Sequence, residues 1–183
     1  MVKILVADDD RVVLFTLAEG LREAGFAVIE ARDGLRALEL CRGERPDLAL
    51  LDIRMPGLDG LELARRLREE TTVPFLFFSA YDDEELVQRA VKLGALGYLV
   101  KPIDVARIVP MLHAALARSV DLEGLRGALQ SNRLIGTAVG IAMRQWGLDQ
   151  QAAFERLRKR ARDRSVKLID IAREVVANGT CPD

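Results

Sequence analysis

The sequence holds few of the side chains that build metal centres or disulfide frameworks. One of its 183 residues is histidine and two are cysteine, and the cysteines follow no metal-ligand or disulfide spacing. No apolar run approaches the roughly 20 residues that cross a bilayer, and acidic residues come too early in the chain for a signal peptide. These absences argue against a structural zinc site and a membrane span, and they predict a cytoplasmic protein.

Charge is plentiful, and its sign changes along the chain. Residues 1–120 hold 16 Lys and Arg against 20 Asp and Glu, whereas residues 121–183 hold 11 against 8. A chain of this length accommodates one standard domain and one small domain. The opposite balance of charge suggests that each part has its own kind of partner.

Short apolar segments alternate with amphipathic segments through the first hundred residues. The apolar segments predict five strands, several of them without alternation, as is typical of strands buried on both faces: Lys3–Ala7, Ala27–Glu30, Asp47–Leu51, Pro74–Phe78 and Gly97–Val100. The amphipathic segments show helical spacing: Arg11–Ala24, Leu35–Cys41, Gly60–Glu69 and Asp83–Leu93. This alternation predicts an α/β fold with a doubly wound, five-stranded parallel sheet, in which functional residues follow the carboxyl ends of the strands.

Beyond residue 102 the sequence shows helical patterns and no strand pattern. Apolar spacing predicts a helix from Asp104 to about Ser119, followed by a helical linker over residues 119–130 with coiled-coil character. Three further helical stretches are predicted between residues 134 and 178. The second part is therefore predicted to be a small all-α domain of three helices.

Charged and hydroxyl side chains follow the predicted strands. Asp8 and Asp9 come after the first strand and Asp52 after the third, and because these strand ends converge, the carboxylates would repel unless a cation is present. An oxygen-rich site of this kind suits Mg²⁺, with Asp52 as a nucleophile. Ser79 and Lys101, after the fourth and fifth strands, would offer a hydroxyl and a positive charge to a phosphoryl group. One acidic residue alone is more often merely solvated, but five residues at strand ends favour a site.

Four segments around these residues resemble the receiver domains of two-component response regulators: Val6–Asp9, Asp52–Gly60, Phe78–Ala80 and Gly94–Pro102. The resemblance covers about residues 1–118 and implies a flavodoxin-like fold. It implies that Asp52 is the phosphoacceptor, that Asp9 is a direct Mg²⁺ ligand, and that Asp8 holds the metal largely through water. The backbone carbonyl of Arg54 would complete the protein ligands.

The same resemblance implies roles for the other site residues and a partner. Ser79 takes the place of the family's switch hydroxyl, Tyr98 that of the switch aromatic, and Lys101 that of the site lysine. The phosphoryl group would come from a sensor histidine kinase. Because this chemistry takes place on the protein's own aspartate, the chain is predicted to be a regulator and not an enzyme.

The second helix of the tail is rich in cations. Seven basic residues and one acidic residue lie between positions 156 and 167, the basic ones being Arg156, Arg158, Lys159, Arg160, Arg162, Arg164 and Lys167. Such a run is often only a solvated helix face, but it also suits the phosphates of a nucleic acid. Three interpretations stay open: a DNA-binding helix-turn-helix, an RNA-binding bundle, and a module that docks a protein or dimerises. No turn of the helix-turn-helix type precedes the basic helix.

Residues in all three predicted helices of the tail resemble the ANTAR domain, the RNA-binding module of transcription antitermination regulators. The matching residues are Arg133, Ile135, Ala138, Gly140, Ile141 and Met143, then Ala153, Phe154, Leu157 and Arg158, then Lys167, Leu168, Asp170 and Ala172. The resemblance covers about residues 122–177. It implies binding to hairpin RNA in leader transcripts by a regulator that dimerises on phosphorylation. The candidate RNA contacts are Arg133, Arg156, Arg158, Lys159 and Arg162.

Three residues depart from the ANTAR pattern. Val139 stands where many members have lysine, which removes one potential RNA contact, and Ala142 and Arg162 are expected to reflect repacking of a small core. The sequence thus predicts a receiver domain over residues 1–118, a helical linker over 119–130 and an ANTAR-like domain over 122–178.

Apolar residues also recur at near-heptad spacing across the junction between the two parts, at Leu112, Ala115, Leu122, Leu125 and Leu129. They either cover the cores of the two domains or form a helical dimer seam. The sequence leaves both interpretations open.

Overall fold

The computed structural model describes residues 1–81, 83–102 and 104–181. The chain forms two compact units, Met1–Val120 and Asp121–Asp183. In the described residues, no helix combines the length and the apolar character that crossing a membrane requires.

The first unit is built on five parallel strands in the order β2-β1-β3-β4-β5. The strands are β1 (Lys3–Ala7), β2 (Ala27–Ala31), β3 (Leu48–Leu51), β4 (Phe75–Ser79) and β5 (Tyr98–Val100). All four strand pairs are parallel. The predicted doubly wound, five-stranded parallel sheet is therefore confirmed, and each predicted strand is present within one or two residues of its expected bounds.

Helices cover both faces of this sheet. They are α1 (Arg11–Glu23), α2 (Gly34–Glu44), α3 (Gly60–Glu70), α4 (Glu84–Lys92) and the first part of α5 (Val105–Trp146). Each of α1 to α4 begins after an aspartate whose carboxylate accepts a hydrogen bond from a backbone N–H of the first turn: Asp10, Asp33, Asp59 and Asp83. These caps fix where each helix starts and hence the length of the loop after each strand.

The core of the first unit lies in two layers, one on each side of the sheet. On one side, Leu51 and Phe77 pack with buried residues of α2, α3 and α4. On the other side, Leu50 and Phe78 pack with buried residues of α1 and α5. Leu112, the first residue of the near-heptad series, belongs to this second layer and is fully buried. Side chains of β3 and β4 are buried on both faces, which explains their continuous apolar sequence.

Helix α5 differs from the expectation. It was predicted to end near Ser119, but it continues without interruption from Val105 to Trp146 and passes through Gly124 and Gly127. A glycine in a helix interior costs only about 1 kcal/mol relative to alanine. Most of the neighbouring residues are good helix formers, so two glycines do not end the helix.

The second unit packs the last part of α5 with α6 (Gln150–Asp163) and α7 (Leu168–Asn178). Its core is small and rich in alanine, with these side chains buried: Ala138, Ala142, Ala153, Leu157, Ala161, Ile171, Ala172 and Val175. Gly147 and Gly179 adopt positive φ values of 65° and 68°, a backbone conformation that favours glycine. They end α5 and α7, so a short turn leads from α5 to the Asp149 cap of α6.

Candidate functional site

Three carboxylates meet at the carboxyl edge of the sheet. Asp8 and Asp52 follow the neighbouring strands β1 and β3, and the backbone N–H of Asp52 donates to the carbonyl of Ala7 at 2.8 Å. Carboxylate oxygens of Asp8, Asp9 and Asp52 all lie within 4.8 Å of one another. Asp8 and Asp52 are 1% and 6% exposed, whereas Asp9 is open to solvent. The structure thus brings together the three acids that the sequence singled out.

Asp10, the third acid of the same run, has a different task. Its carboxylate accepts hydrogen bonds from the backbone N–H groups of Val12 at 2.8 Å and Val13 at 3.3 Å, and so caps α1. Its own backbone N–H donates to Asp8 at 3.0 Å, which orients that carboxylate. Asp10 therefore supports the cluster without belonging to it.

Lys101 joins two of the acids. Its Nζ lies 2.5 Å from Oδ2 of Asp8 and 3.2 Å from Oδ1 of Asp52. The backbone N–H of Lys101 donates to the carbonyl of Ser79 at 2.8 Å, which places the lysine beside the end of β4. From the edge strand β5, its side chain reaches the central strand ends and is mostly buried there.

Burial and charge act in opposite directions on this group. Burial raises the pKa of the Asp52 carboxyl, while the charge and hydrogen bond of Lys101 partly oppose that effect. Burial by itself would lower the pKa of Lys101, but its hydrogen bond to Asp8 and the negative charge of Asp52 outweigh burial and raise it. Lys101 therefore stays charged at neutral pH, beside a carboxylate that is more basic than one in water.

Backbone groups hold the other side of Asp52. The backbone N–H of Arg54 donates to its Oδ2 at 3.2 Å. Helix α3 begins directly against Asp52: a Cβ on Gly60 would lie 2.0 Å from the Asp52 carbonyl oxygen, so only glycine fits there. Both oxygens of the carboxylate are thus oriented, Oδ1 by Lys101 and Oδ2 by Arg54.

Ser79 and Tyr98 meet at the main chain of Tyr81. Ser79 is fully buried, and its Oγ accepts a hydrogen bond from the Tyr81 N–H at 3.5 Å. The Tyr98 hydroxyl donates to the Tyr81 carbonyl at 2.5 Å. The Arg54 guanidinium lies 4.1 Å from the centre of the Tyr81 ring. Sequence reasoning missed Tyr81 because its role depends on its position two residues after Ser79 and not on its residue type.

The second unit presents a basic surface on α6. Ala153, Leu157 and Ala161 form the buried stripe of this helix. Arg158 forms an ion pair with Glu155 at 3.4 Å. In the described part of the chain, the other basic residues from position 156 to 162 form no ion pair with an acidic side chain: Arg156, Lys159, Arg160 and Arg162.

The three departures from the ANTAR pattern have different structural outcomes. Val139 and Ala142 are buried at 5% and 0% exposure, so both are core residues of the small unit. Arg162 is exposed, so the expectation that it reflects core repacking is wrong: its position faces solvent on α6. Arg133 is also exposed and forms no ion pair with any residue that the structure describes.

Comparisons with known proteins agree for both units. The family model of the response regulator receiver domain matches residues 4–113, and that of the ANTAR domain matches residues 123–176. The transcriptional regulatory protein PdtaR of Mycobacterium tuberculosis is 31% identical in an alignment 182 residues long, and the match covers 95% of this chain and 89% of PdtaR.

A solved structure supports the fold of the first unit. The receiver domain of Francisella response regulator 1452 matches with a TM-score of 0.62 and 31% identity, over 65% of this chain and 99% of that one. The family of the chain follows from three findings together: the parallel sheet, the acidic cluster and the two family matches. The chain belongs to the two-component response regulators that carry an N-terminal receiver domain and a C-terminal ANTAR domain.

Proposed function

We propose that phosphoryl transfer to Asp52 controls a C-terminal RNA-binding domain that acts in transcription antitermination. The observation that carries this proposal is the oriented carboxylate of Asp52. One of its oxygens bonds to Lys101 and the other to the Arg54 N–H, and two further acids lie within 4.8 Å. A buried, oriented carboxylate beside a fixed cation has the properties of a nucleophile for a phosphoryl group.

The donor set fits Mg²⁺. Receiver domains bind this metal at an acidic pocket, and the ligand atoms that Asp8, Asp9 and Asp52 offer here are carboxylate oxygens, which hard cations prefer. We assign these three residues and the backbone carbonyl of Arg54 as its protein ligands. When bound, Mg²⁺ would neutralise negative charge on the carboxylates and on the oxygens of the incoming phosphoryl group.

The other residues divide the remaining work. An oxygen of Asp52 attacks phosphorus on the phosphohistidine of a sensor kinase, the P–N bond breaks, and an acyl phosphate forms on Asp52. The Lys101 ammonium and the Ser79 hydroxyl then bind phosphoryl oxygens. To do so, Ser79 turns away from the Tyr81 N–H, and Tyr98, which bonds to the Tyr81 carbonyl, responds to that movement.

The second unit supplies the RNA-binding surface. Unpaired cations on α6 support contacts to RNA phosphates, and Arg133, Arg156, Arg158, Lys159 and Arg162 are the assigned contact residues. We expect the target to be hairpin RNA in leader transcripts, which a cytoplasmic regulator meets as the RNA is made. Binding of the protein would hold the RNA in its hairpin form, and a terminator would then not form.

A homodimer formed on phosphorylation is part of the proposal. Leu125 and Leu129 on α5 are 62% and 65% exposed, and because they lie one helical turn apart they share one face of the helix. Leu112 and Ala115 are buried in the first unit and are not available to a seam. The proposed seam is therefore limited to the part of α5 around Leu122, Leu125 and Leu129.

The test is to identify the nucleic acid that binds. Protein treated with acetyl phosphate and Mg²⁺ is mixed with total RNA, and the bound RNA is sequenced. The proposal predicts enrichment of hairpins in leader transcripts, and binding that weakens as salt rises. Preference for duplex DNA would favour a helix-turn-helix function, and absence of nucleic-acid binding at low salt would favour a protein-docking function.

A further inference from the structure

Two arginines share one tryptophan in the second unit. Arg156 and Arg160 lie one turn apart on α6, so they project from the same face of the helix. The guanidinium carbon of Arg156 is 4.3 Å from the centre of the Trp146 ring, and that of Arg160 is 5.5 Å from it. Trp146, at the end of α5, is partly exposed and packs at the edge of the small core.

This pair differs from three other arginines of the second unit. Arg158, Arg164 and Arg173 each form an ion pair, with Glu155 at 3.4 Å, Glu174 at 2.6 Å and Asp170 at 3.0 Å. Arg156 and Arg160 pair with no carboxylate in residues 1–81, 83–102 and 104–181. Two cations on one ring repel each other, and a bound anion would remove that repulsion.

Arg160 also has a buried nitrogen without an acceptor. Its Nη1 is the one buried side-chain nitrogen or oxygen, among the residues that the structure describes, that forms no hydrogen bond. Buried donors are normally satisfied, and one that is not calls for a ligand that brings an acceptor.

The surroundings indicate the charge of that ligand. Arg156 and Arg160 line an open depression on α6 together with Lys159 and Arg162, and the acids that also line it are Glu155 and Asp163. The carboxylate of Glu155 already forms an ion pair with Arg158. The depression therefore has an excess of positive charge. A planar guanidinium group can donate two parallel hydrogen bonds to the oxygens of one phosphate.

We propose that Trp146, Arg156 and Arg160 form a binding site for a backbone phosphate of the RNA. The indole orients both guanidinium groups, and their N–H groups donate to the phosphate oxygens. Arg160 turns as the phosphate binds, so that its Nη1, buried in the free protein, gains an acceptor. Lys159 and Arg162 hold neighbouring phosphates along the same depression. This inference rests on the proposed RNA-binding function and adds Trp146 and Arg160 to its contacts.

The chain offers a direct reporter for this site, because Trp146 is its one tryptophan. Phosphorylated protein is titrated with a pool of RNA stem-loops that share one stem and carry randomised loops. Tryptophan fluorescence reports the site, and filter binding reports affinity independently. The inference predicts that the change in fluorescence saturates together with binding.

Variants separate this site from the rest of the basic surface. Arg156→Ala and Arg160→Ala should each weaken RNA binding about tenfold or more, since each removes hydrogen bonds to a charged group. Because both arginines bind one phosphate, it is the double variant Arg156→Ala/Arg160→Ala that should reduce the slope of log affinity against log salt by roughly 0.7 to 0.9. The matched control is Arg164→Ala, which removes the arginine that follows the last residue of α6, is paired with Glu174 and is not among the assigned contacts. Thermal melts establish that each variant is folded, and the wild-type fluorescence titration stands whether or not they are.

Each outcome has a distinct meaning. If wild-type protein binds the RNA but its fluorescence is constant and both alanine variants bind like wild type, the site is wrong while the RNA-binding function stands. If wild-type protein binds no RNA by filter binding, the proposed function fails and the site fails with it. If inorganic phosphate, at the concentration of RNA phosphates, produces the same fluorescence change, the site takes free anions and the assignment to RNA is overturned.

Discussion

The two units of this protein use charge in opposite ways. In the receiver unit the site charges are mostly buried and contact one another. Lys101 contacts both Asp8 and Asp52, and Asp8 is buried, with only 1% of its surface exposed. In the ANTAR unit the cations of α6 are mostly exposed, and four of the five between residues 156 and 162 form no ion pair with a described residue. Buried, mutually bonded charges are suited to chemistry at one fixed point. Exposed, unpaired charges are suited to a large polyanion.

The difference predicts a complete loss at one residue of the receiver. Asp52→Asn should abolish phosphorylation by acetyl phosphate, because an amide does not attack phosphorus. The measurement is incorporation of labelled phosphate. Asp10→Asn is the matched control, since Asn is also a good helix cap and Asp10 serves α1. Undiminished labelling of Asp52→Asn would remove the central residue from the account.

A second complete loss is expected for dimerisation of the phosphorylated protein. Leu125→Glu combined with Leu129→Glu should prevent dimerisation of the phosphorylated protein, because each carboxylate would enter an apolar seam. Both leucines are more than 60% exposed, so the change in the free energy of unfolding should stay within about 0.5 kcal/mol. Light scattering with and without a phosphate mimic makes the measurement. A wild-type monomer in both states would eliminate the seam.

Metal binding should discriminate between neighbouring acids. Asp9→Ala should weaken Mg²⁺ binding by more than the roughly tenfold that loss of an outer partner causes. Asp10→Ala should mainly lower stability, by about 1 kcal/mol, because it removes the α1 cap. Calorimetric titration and thermal melts measure the two effects. Equal losses of Mg²⁺ affinity in both variants would show that the assignment of the acids is wrong.

The topology of the receiver site was predictable from sequence, and its loop geometry was not. Strand β1 has the bounds that its apolar run predicts, and the order of the strands brings Asp8, Asp52 and Lys101 to one edge. The shared contact of Ser79 and Tyr98 with the Tyr81 main chain depends on the path of a loop, which no residue pattern encodes.

In the ANTAR unit, the buried stripe of α6 was predictable because it follows from helical periodicity. Three features were not. The continuity of α5 through Gly124 and Gly127 depends on a small energy difference. The exposure of Arg162 and the approach of two arginines to the Trp146 ring depend on packing between helices. Periodicity describes one helix at a time and carries no information about its neighbours.

The exposed cations of α6 should act through salt-dependent affinity. Lys159→Ala combined with Arg162→Ala should flatten the slope of log RNA affinity against log salt by roughly 1.5, the sum of two phosphate contacts. Arg158→Ala alone should change it less, because Arg158 is paired with Glu155. Filter binding across a salt series makes the measurement. An unchanged slope in the double variant would show that these cations are only solvated and do not contact RNA phosphates.

The smallest expected effect is a difference in the rate at which one cysteine from each unit reacts with a thiol reagent. Burial raises the pKa of the Cys41 thiol to about 12, so at pH 8 only about one part in ten thousand is thiolate. Burial also raises the pKa of Cys181, but the positive charges of Arg160 and Arg156 oppose that effect. Cys181 should therefore react faster with a thiol reagent than Cys41, as measured on Cys41→Ser and Cys181→Ser variants. Faster reaction at Cys41 would contradict this order.

The central claim is that the phosphoryl group on Asp52 controls RNA binding. Its most direct test is RNA affinity at fixed salt, for wild type and Asp52→Asn, with and without acetyl phosphate and Mg²⁺. The account predicts that phosphorylation tightens binding by wild type roughly 5- to 150-fold, the usual range of coupling between two sites. It predicts no change for Asp52→Asn. Equal RNA affinity of wild type with and without the phosphodonor, while Asp52 is shown to be phosphorylated, would contradict the claim.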